Sequence, residues 1–354
     1  MKELFQQKVT ELLLEGYAGR CFPAAACAMG QGETVLAQYC MGEYPIPGGA
    51  PVDEHTRWDM ASMSKILGPT MVALQALQSG VLSLDDTLGK FFPQSPADKA
   101  GITIRMLMTH TGGFHPSWRL DQELTDPADT LANILSHPLV EEPGKRPIYT
   151  CMGYITLGKV LEQVYGEPLK DLAWRMVFEP LGMTETCYCP PEGTPCAATE
   201  VDPVTGKPWI GVVHDENARF QRGNSANAGV FMSLRDGVTF ARCMARMGAP
   251  LIRPAMMEQA IQNLTPGQDT CRGLGFQVTG NPDCVLGYRL PFCFGHTGFT
   301  GTSMLVEPKT GFWVVLLTNR VYPTRDNPRH GEFRKRFHEE LWAFYDAHRG
   351  EVAP

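Results

Sequence analysis

The sequence predicts an α/β (α+β) chain in which one antiparallel sheet, flanked by helices, is assembled from both ends of the polypeptide around an inserted, mainly helical domain. Three observations point there. Residues 23–30 and 33–42 read as two short strands joined by a turn at 30–32. Residues 302–307 and 312–319 flank Pro308-Lys309-Thr310-Gly311 as a hairpin. The long stretch between these pairs is apolar at helical spacing. The α/β part is accordingly assigned to residues 1–60 and 230–354, and the helical part to 61–229.

The elements follow in order. Leu4, Phe5, Val9, Leu12 and Leu13 recur at helical spacing against Glu3, Gln6, Gln7 and Glu11, which gives an amphipathic first helix. Residues 62–80 repeat the pattern and stop at Gly80; 129–136, 152–165 and 168–178 read similarly. The Pro/Gly-rich stretch 190–209 is loop. A helix over 233–247 starts with Ser233 as N-cap and Asp236 three residues on. After the hairpin, an amphipathic helix over 332–348 ends the chain.

Composition excludes several classes. Of 354 residues, 43% are hydrophobic and 19% charged, a globular balance with room for a large core. A net charge of −7 and the lack of any Lys/Arg stripe argue against nucleic acid as a partner. No run is apolar enough to cross a bilayer, and the start shows no basic segment followed by an uninterrupted apolar one, so no membrane partner and a cytoplasmic location are expected. Eleven cysteines, an odd number without repeated spacing, read as free thiols. Cys187, Cys189 and Cys196 cluster, but no His/Cys pair stands in register to complete a tetrahedral zinc site.

The chemistry-bearing stretch is Asp59-Met60-Ala61-Ser62-Met63-Ser64-Lys65-Ile66. Ser62 and Lys65, three apart at a helix start, share one helical face. A serine hydroxyl is a weak nucleophile and needs a base within hydrogen-bond reach; a lysine serves if burial or a nearby cation lowers its affinity for protons. Pro69 lacks the N–H that would bond the carbonyl of Lys65, so an irregular turn is expected there.

Two further stretches stand in order with this one: Pro143-Gly144-Lys145-Arg146-Pro147-Ile148-Tyr149-Thr150-Cys151 and Phe294-Gly295-His296-Thr297-Gly298-Phe299-Thr300-Gly301. The set resembles the penicillin-binding-protein and class C β-lactamase family, and the likeness extends to Leu82-Ser83-Leu84-Asp85-Asp86, Met106-Leu107-Met108-Thr109-His110-Thr111-Gly112-Gly113, Val213-His214-Asp215-Glu216-Asn217-Ala218 and Leu317-Thr318-Asn319-Arg320. The resemblance implies a serine β-lactamase/transpeptidase-like fold and a serine hydrolase that needs no metal or organic cofactor. It makes Ser62 the acylated serine, Lys65 its lysine, and Tyr149 the tyrosine that relays protons. His296-Thr297-Gly298 becomes the motif that edges the substrate groove, and the N–H groups of Ser62 and Phe299 the oxyanion hole. A tyrosine's ordinary pKa, near 10, is too high for a base at neutral pH, and the cation at Lys65 is expected to help. The glycines at 295, 298 and 301 are expected to let substrate approach the strand.

Two residues depart from the family's pattern. His296 stands where classical β-lactamases and transpeptidases mostly carry lysine, and Cys151 where many relatives carry asparagine. Both changes remove features suited to penicillin-like substrates: a permanent cation and an amide grip. An esterase-like enzyme acting on a small-molecule ester, amide or peptide-like substrate is therefore expected, with acyl transfer or D-amino-acid peptidase or carboxypeptidase activity as the alternatives. A true β-lactamase or a silent binding protein ranks behind these. Asn319 reads equally as a contact for a substrate carboxylate or as a strand-end cap. His110, His214 and Asp215 read as packing or groove-wall residues, and Phe114, His115 and Trp118 as acyl-pocket lining or loop aromatics. The literal Lys309-Thr310-Gly311 is rejected as the third motif, because it lies at the tip of a hairpin.

Overall fold

The structure, a computed structural model, describes residues 2–116, 118–268, 270–279 and 286–351. Its strands are β1 (Ala25–Gln31), β2 (Thr34–Met41), β3 (Glu43–Tyr44), β4 (Ala50–Pro51), β5 (Arg57–Asp59), β6 (Cys187–Tyr188), β7 (Val230–Ser233), β8 (Gln277–Val278), β9 (Phe294–Thr297), β10 (Ser303–Glu307) and β11 (Phe312–Thr318). Six of them form one antiparallel sheet in the order β2-β1-β11-β10-β9-β8, which joins the two chain ends as expected. The pairing of β1 with β11 runs from Ala25 opposite Thr318 to Gln31 opposite Phe312.

Every residue of β10 and β11 is buried, so both faces of this sheet are covered. The alternation along β1 sorts its residues between two cores. Ala25, Cys27 and Met29 meet Phe5, Val9, Leu12 and Leu13 of the helix Lys2–Ala18 and Phe333, Phe337 and Leu341 of the helix Arg329–His348. Ala24, Ala26 and Ala28 face the opposite way, into the core shared with the helix Leu234–Ala245 and with the helices of the middle segment. The final helix starts at Arg329, three residues before the expected start. At the β10–β11 turn, the buried Glu307 carboxylate accepts from the N–H groups of Lys309 (3.0 Å) and Thr310 (2.7 Å), and Gly311 takes a φ of +72°.

Two prolines shape the helices around the site. The apolar stretch 62–80 is three pieces, a 3-10 turn Ala61–Met63 and the helices Ser64–Leu67 and Pro69–Gln78, which part at Gly68. This is the irregularity expected from Pro69, and it ends the first helical turn just beyond Lys65. The segment 168–178 behaves similarly. After Leu169–Ala173 the chain widens into a π turn, Trp174–Phe178. Pro180 lacks the N–H that would bond the carbonyl of Met176, and the Gln75 side chain donates to that carbonyl instead, at 2.9 Å.

A second sheet, β5-β7-β6, brings residues 57–59, 187–188 and 230–233 together beside the start of the 3-10 turn. From β7 the chain enters the helix Leu234–Ala245, where Ser233 Oγ accepts from Asp236 N (3.3 Å), as its N-cap position predicts. Ser233→Ala is expected to cost about 1 kcal/mol, read as a lowered midpoint in chemical denaturation with an unchanged slope.

Candidate active site

The turn that carries Ser62 is held from three sides. Asp59, at the end of β5 and buried, accepts at one carboxylate oxygen from Ala61 N (2.8 Å) and at the other from His214 N (2.6 Å). Val230 of β7 accepts from Met60 N (2.9 Å) and donates to Ser64 Oγ (3.0 Å). Thr300 and Thr302, in the loop between β9 and β10, donate their hydroxyls to the carbonyls of Asp59 (2.7 Å) and Met60 (3.1 Å). These bonds hold Ala61 at a φ of +44°, an unfavourable conformation for a residue with a Cβ, directly before Ser62. Burial pushes the Asp59 carboxyl up to about 6 against the opposing pull of the two N–H groups.

Lys65 reaches Ser62 from one helical turn away: its Nζ donates to Ser62 Oγ at 3.1 Å and to the carbonyl of Asn227 at 2.8 Å, and the residue has no exposed surface. Asn227 is fixed by Asp215, which accepts from Asn227 Nδ2 (2.9 Å) while capping the helix Glu216–Phe220 through Ala218 N (2.8 Å). Asp215 and His214 thus act behind the site, as packing and wall residues should. Burial disfavours the charge on Lys65, but its surroundings, Tyr149 first and Asp215 among them, more than offset it, so its affinity for protons lies above the ordinary lysine value. This direction runs against the condition set for a lysine base, a lowered affinity for protons, and favours the ammonium form.

Tyr149 precedes the helix Cys151–Tyr165, whose cap Thr150 accepts from Met152 N (3.1 Å) and donates to the carbonyl of His115 (2.8 Å). Its ring centre lies 5.0 Å from Lys65 Nζ, 4.6 Å from the ring of His110 and 6.2 Å from that of His296. Tyr149 is 39% exposed, whereas both histidines are buried. His296 Nδ1 lies 2.7 Å from the carbonyl of Thr297, which can only accept, so the proton sits on Nδ1. Burial first, and then Arg272 and Lys65, hold both imidazoles well below the ordinary histidine range. The third motif therefore contributes no positive charge. Arg272 does: its guanidinium stands 5.2 Å from the centre of the Tyr149 ring.

Sequence reasoning missed Arg272, Asp59 and Asn227. The only local sign of Arg272 was its place before the glycines at 273 and 275, and Gly275 is needed because a Cβ there would strike Thr70 and Tyr154.

The remaining expected residues separate into two groups. Cys151 lies half-buried beside Lys65, and burial raises its thiol above the ordinary value in spite of that cation, so it is an uncharged neighbour of the site. Thr297 is buried, with Oγ1 3.4 Å from Gln277 Nε2, and Phe299 leaves β9 half-exposed, its ring stacked on His214 at 5.7 Å. Among the described residues the N–H of Phe299 meets no acceptor. Ser62 is the second residue of its 3-10 turn, where helical bonding leaves the N–H unused.

Asn319 falls outside this group. It is buried, its Oδ1 accepts from Ala24 N (3.1 Å) and its Nδ2 donates to the carbonyl of Ala198 (3.0 Å), so each end of the amide is tied to the fold, as a strand-end cap would be. The glycines also serve the fold. A Cβ on Gly298 would collide with Met60 and Thr302, one on Gly295 with Met304, and one on Gly301 with Thr318. Phe114 is a core residue, and Trp118 stacks on His137 at 4.3 Å. Lys309-Thr310-Gly311 sits beyond Glu307, at the end of β10 away from the Ser303–Thr297 pairing.

Ser62, Lys65 and Tyr149, the three residues named by the sequence resemblance, come together here, with Lys65 Nζ 3.1 Å from Ser62 Oγ and 5.0 Å from the centre of the Tyr149 ring. The sequence profile described as "Beta-lactamase" matches residues 2–338. The chain belongs to the β-lactamase family. As a member of that family it is a serine hydrolase. It is 31% identical over 310 residues, 77% of this chain and 71% of the relative, to a protein of Escherichia coli (strain K12) called "Putative D-alanyl-D-alanine carboxypeptidase". Among solved structures it is similar to EstCE1, described as a hydrolase with promiscuous acyltransferase activity, with a TM-score of 0.77 at 20% identity over 96% of this chain and 99% of that one. A similar likeness, with a TM-score of 0.73 at 20% identity over 96% and 97% of the two chains, holds for a mutant simvastatin synthase from Aspergillus terreus. These two likenesses concern the α/β fold with its antiparallel sheet. No helix among the described residues is long and apolar enough to cross a membrane.

Asn319→Ala tests its reassignment. Loss of two buried hydrogen bonds is expected to cost about 1–3 kcal/mol, read as a lower thermal midpoint. KM for an ester substrate should stay within about twofold in the folded protein; a large rise in KM alone would return Asn319 to the groove.

Proposed function

We propose that this β-lactamase-family protein hydrolyses small esters through an acyl-enzyme on Ser62. The observation that carries the reading is the 3.1 Å contact between Lys65 Nζ and Ser62 Oγ inside a site that also holds Tyr149 over the same ammonium. A lysine that donates to the hydroxyl favours the alkoxide, and the N-terminal turn at Ser62 adds positive potential.

The proposed steps follow from those groups. Ser62 Oγ attacks the acyl carbon, and Tyr149 serves as the base that takes its proton, because Lys65 already holds its own. The carbonyl oxygen becomes an anion facing the N–H groups of Ser62 and Phe299, donors that are each worth roughly 3–4 kcal/mol in such barriers. The tetrahedral intermediate collapses as the leaving alcohol takes the proton from Tyr149. Water then repeats the sequence on the ester to Ser62 and releases the acid.

Two features support an ester over a penicillin-like amide. His296 is neutral, and Cys151 offers a thiol in place of an amide grip. A second reading, a peptidase or carboxypeptidase acting on D-amino-acid compounds, is supported by the relative of that name at 31% identity. Acyl transfer to an alcohol or amine would use the same residues, and the promiscuous acyltransferase activity ascribed to EstCE1 supports it as a further alternative.

The test uses p-nitrophenyl acetate and butyrate, a chromogenic cephalosporin and a D-alanyl-D-alanine peptide, with wild type, Ser62→Ala and Lys65→Met. We expect ester turnover in the wild type, a fall of about 10³-fold or more in both variants, and little cephalosporin turnover. Ester hydrolysis that survives intact in Ser62→Ala would overturn the assignment of the nucleophile. Peptide turnover exceeding ester turnover would replace the first reading by the second.

A further inference from the structure

Behind the loop that carries Phe299 lies a cation that the steps above leave unused. Arg334, on the helix Arg329–His348, extends its guanidinium away from water and donates from Nη1 to the carbonyls of Gly298 (2.9 Å) and Thr302 (3.2 Å). Those two residues close the loop, since Gly298 N donates to the carbonyl of Thr302 (2.7 Å) and Gly301 N to that of Gly298 (3.2 Å). The loop's opposite side is tied to the serine turn through the hydroxyls of Thr300 and Thr302. Arg334 therefore stands behind the loop and Ser62 in front of it.

The Gly298 carbonyl and the Phe299 N–H belong to one peptide plane, and in a trans peptide they point in opposite directions. A cation that holds the carbonyl inward turns the N–H outward. A charge-assisted bond to the carbonyl oxygen also draws electron density from the amide and makes its N–H a stronger donor. Arg320 completes the brace: its Nε donates to the carbonyl of Phe299 at 2.6 Å. Burial, then Arg320, lowers the Arg334 guanidinium to about 10, so it keeps its charge at any ordinary assay pH.

We propose that Arg334 is a positioning residue for the oxyanion hole, which orients and polarises the Gly298–Phe299 peptide so that its N–H meets the anion formed on a Ser62-bound acyl group. This rests on the Ser62 acyl-enzyme reading. A residue that merely kept the loop in shape would affect substrate and transition state alike, whereas one that tunes this donor acts where the negative charge appears.

The test compares Arg334→Gln and Arg334→Lys with wild type in kcat and KM for p-nitrophenyl butyrate, and in inhibition by an alkyl boronic acid, which becomes tetrahedral and anionic on a serine oxygen. For Arg334→Gln we expect kcat to fall on the order of tenfold, short of the roughly 10²–10³-fold brought by losing such a donor outright. KM should stay within about twofold, and boronic acid binding should weaken by the same factor as kcat. Arg334→Lys, which keeps the charge, should lose less. An unchanged kcat, or equal losses in KM and boronic acid affinity, would overturn the proposal. If Arg334→Gln does not fold, Arg334→Lys decides: it must lower kcat at constant KM, and an unaltered kcat refutes the role. Labelling by a fluorophosphonate tests the underlying reading separately, because a wild type not labelled at Ser62 removes that reading whatever Arg334 does.

Discussion

The site depends on burying one ammonium. Lys65 has no exposed surface, and an ion withdrawn from water costs several kcal/mol unless its donors are met and opposite charge lies near. Its neighbours are arranged to that end. The Asn227 carbonyl takes one hydrogen bond, Ser62 Oγ takes another, and the rings of Tyr149 and Tyr154 stand 5.0 and 5.7 Å away. Asp215 contributes twice, by its charge and by gripping Asn227. The Ser62 hydroxyl, the nucleophile we propose, is thus also part of the solvation of the lysine beside it. Each restricts where the other can move.

The same constraint explains why the serine turn is clamped so thoroughly. A strained Ala61 persists only if the surrounding bonds over-determine it, and they come from three places distant in sequence: β5, β7 and the loop after β9. Gly298 belongs to this arrangement. Without a Cβ it lets the loop settle against the Met60 carbonyl, two residues before Ser62. The glycine that in the sequence suggests room for substrate is room for the protein itself.

What could be read in the sequence was what is local. Ser62 and Lys65 share a face because they are three apart, Pro69 marks a break by the hydrogen bond it cannot make, and the β10–β11 hairpin is announced by its turn residues and the apolar runs beside them. The strands at both ends were legible from short runs joined by turn residues, and with them the sheet. What escaped were groups delivered by the fold: Arg272 to Tyr149, Asp59 to the His214 backbone, Arg334 to Gly298. No spacing rule connects residues so far apart. Asn319 shows the limit in another form, since a polar residue at a strand end looks the same whether it holds a ligand or the start of β1. The sign of the shift at Lys65 was illegible for a related reason. Burial and nearby oxygens act in opposition, and only the assembled surroundings decide which wins.

The charges of the groove therefore differ from what its motifs suggest. Two histidines stand within reach of Tyr149, yet each is kept neutral by burial and by the cations beside it. Each imidazole also uses Nδ1 on the backbone, His296 donating to Thr297 and His110 accepting from Thr150 N at 3.4 Å. Positive charge comes instead from Lys65 and Arg272, and neither changes state where histidines ordinarily titrate. The imidazoles and these two cations therefore keep their charges across neutral and mildly acidic pH, whereas the Asp59 carboxyl under the serine turn, pushed up to about 6 by burial, changes state there. The exchange of the third motif's lysine for His296 leaves the fold intact for this reason: a neutral, backbone-anchored ring fills the space, and the charge beside Tyr149 arrives from a different part of the chain.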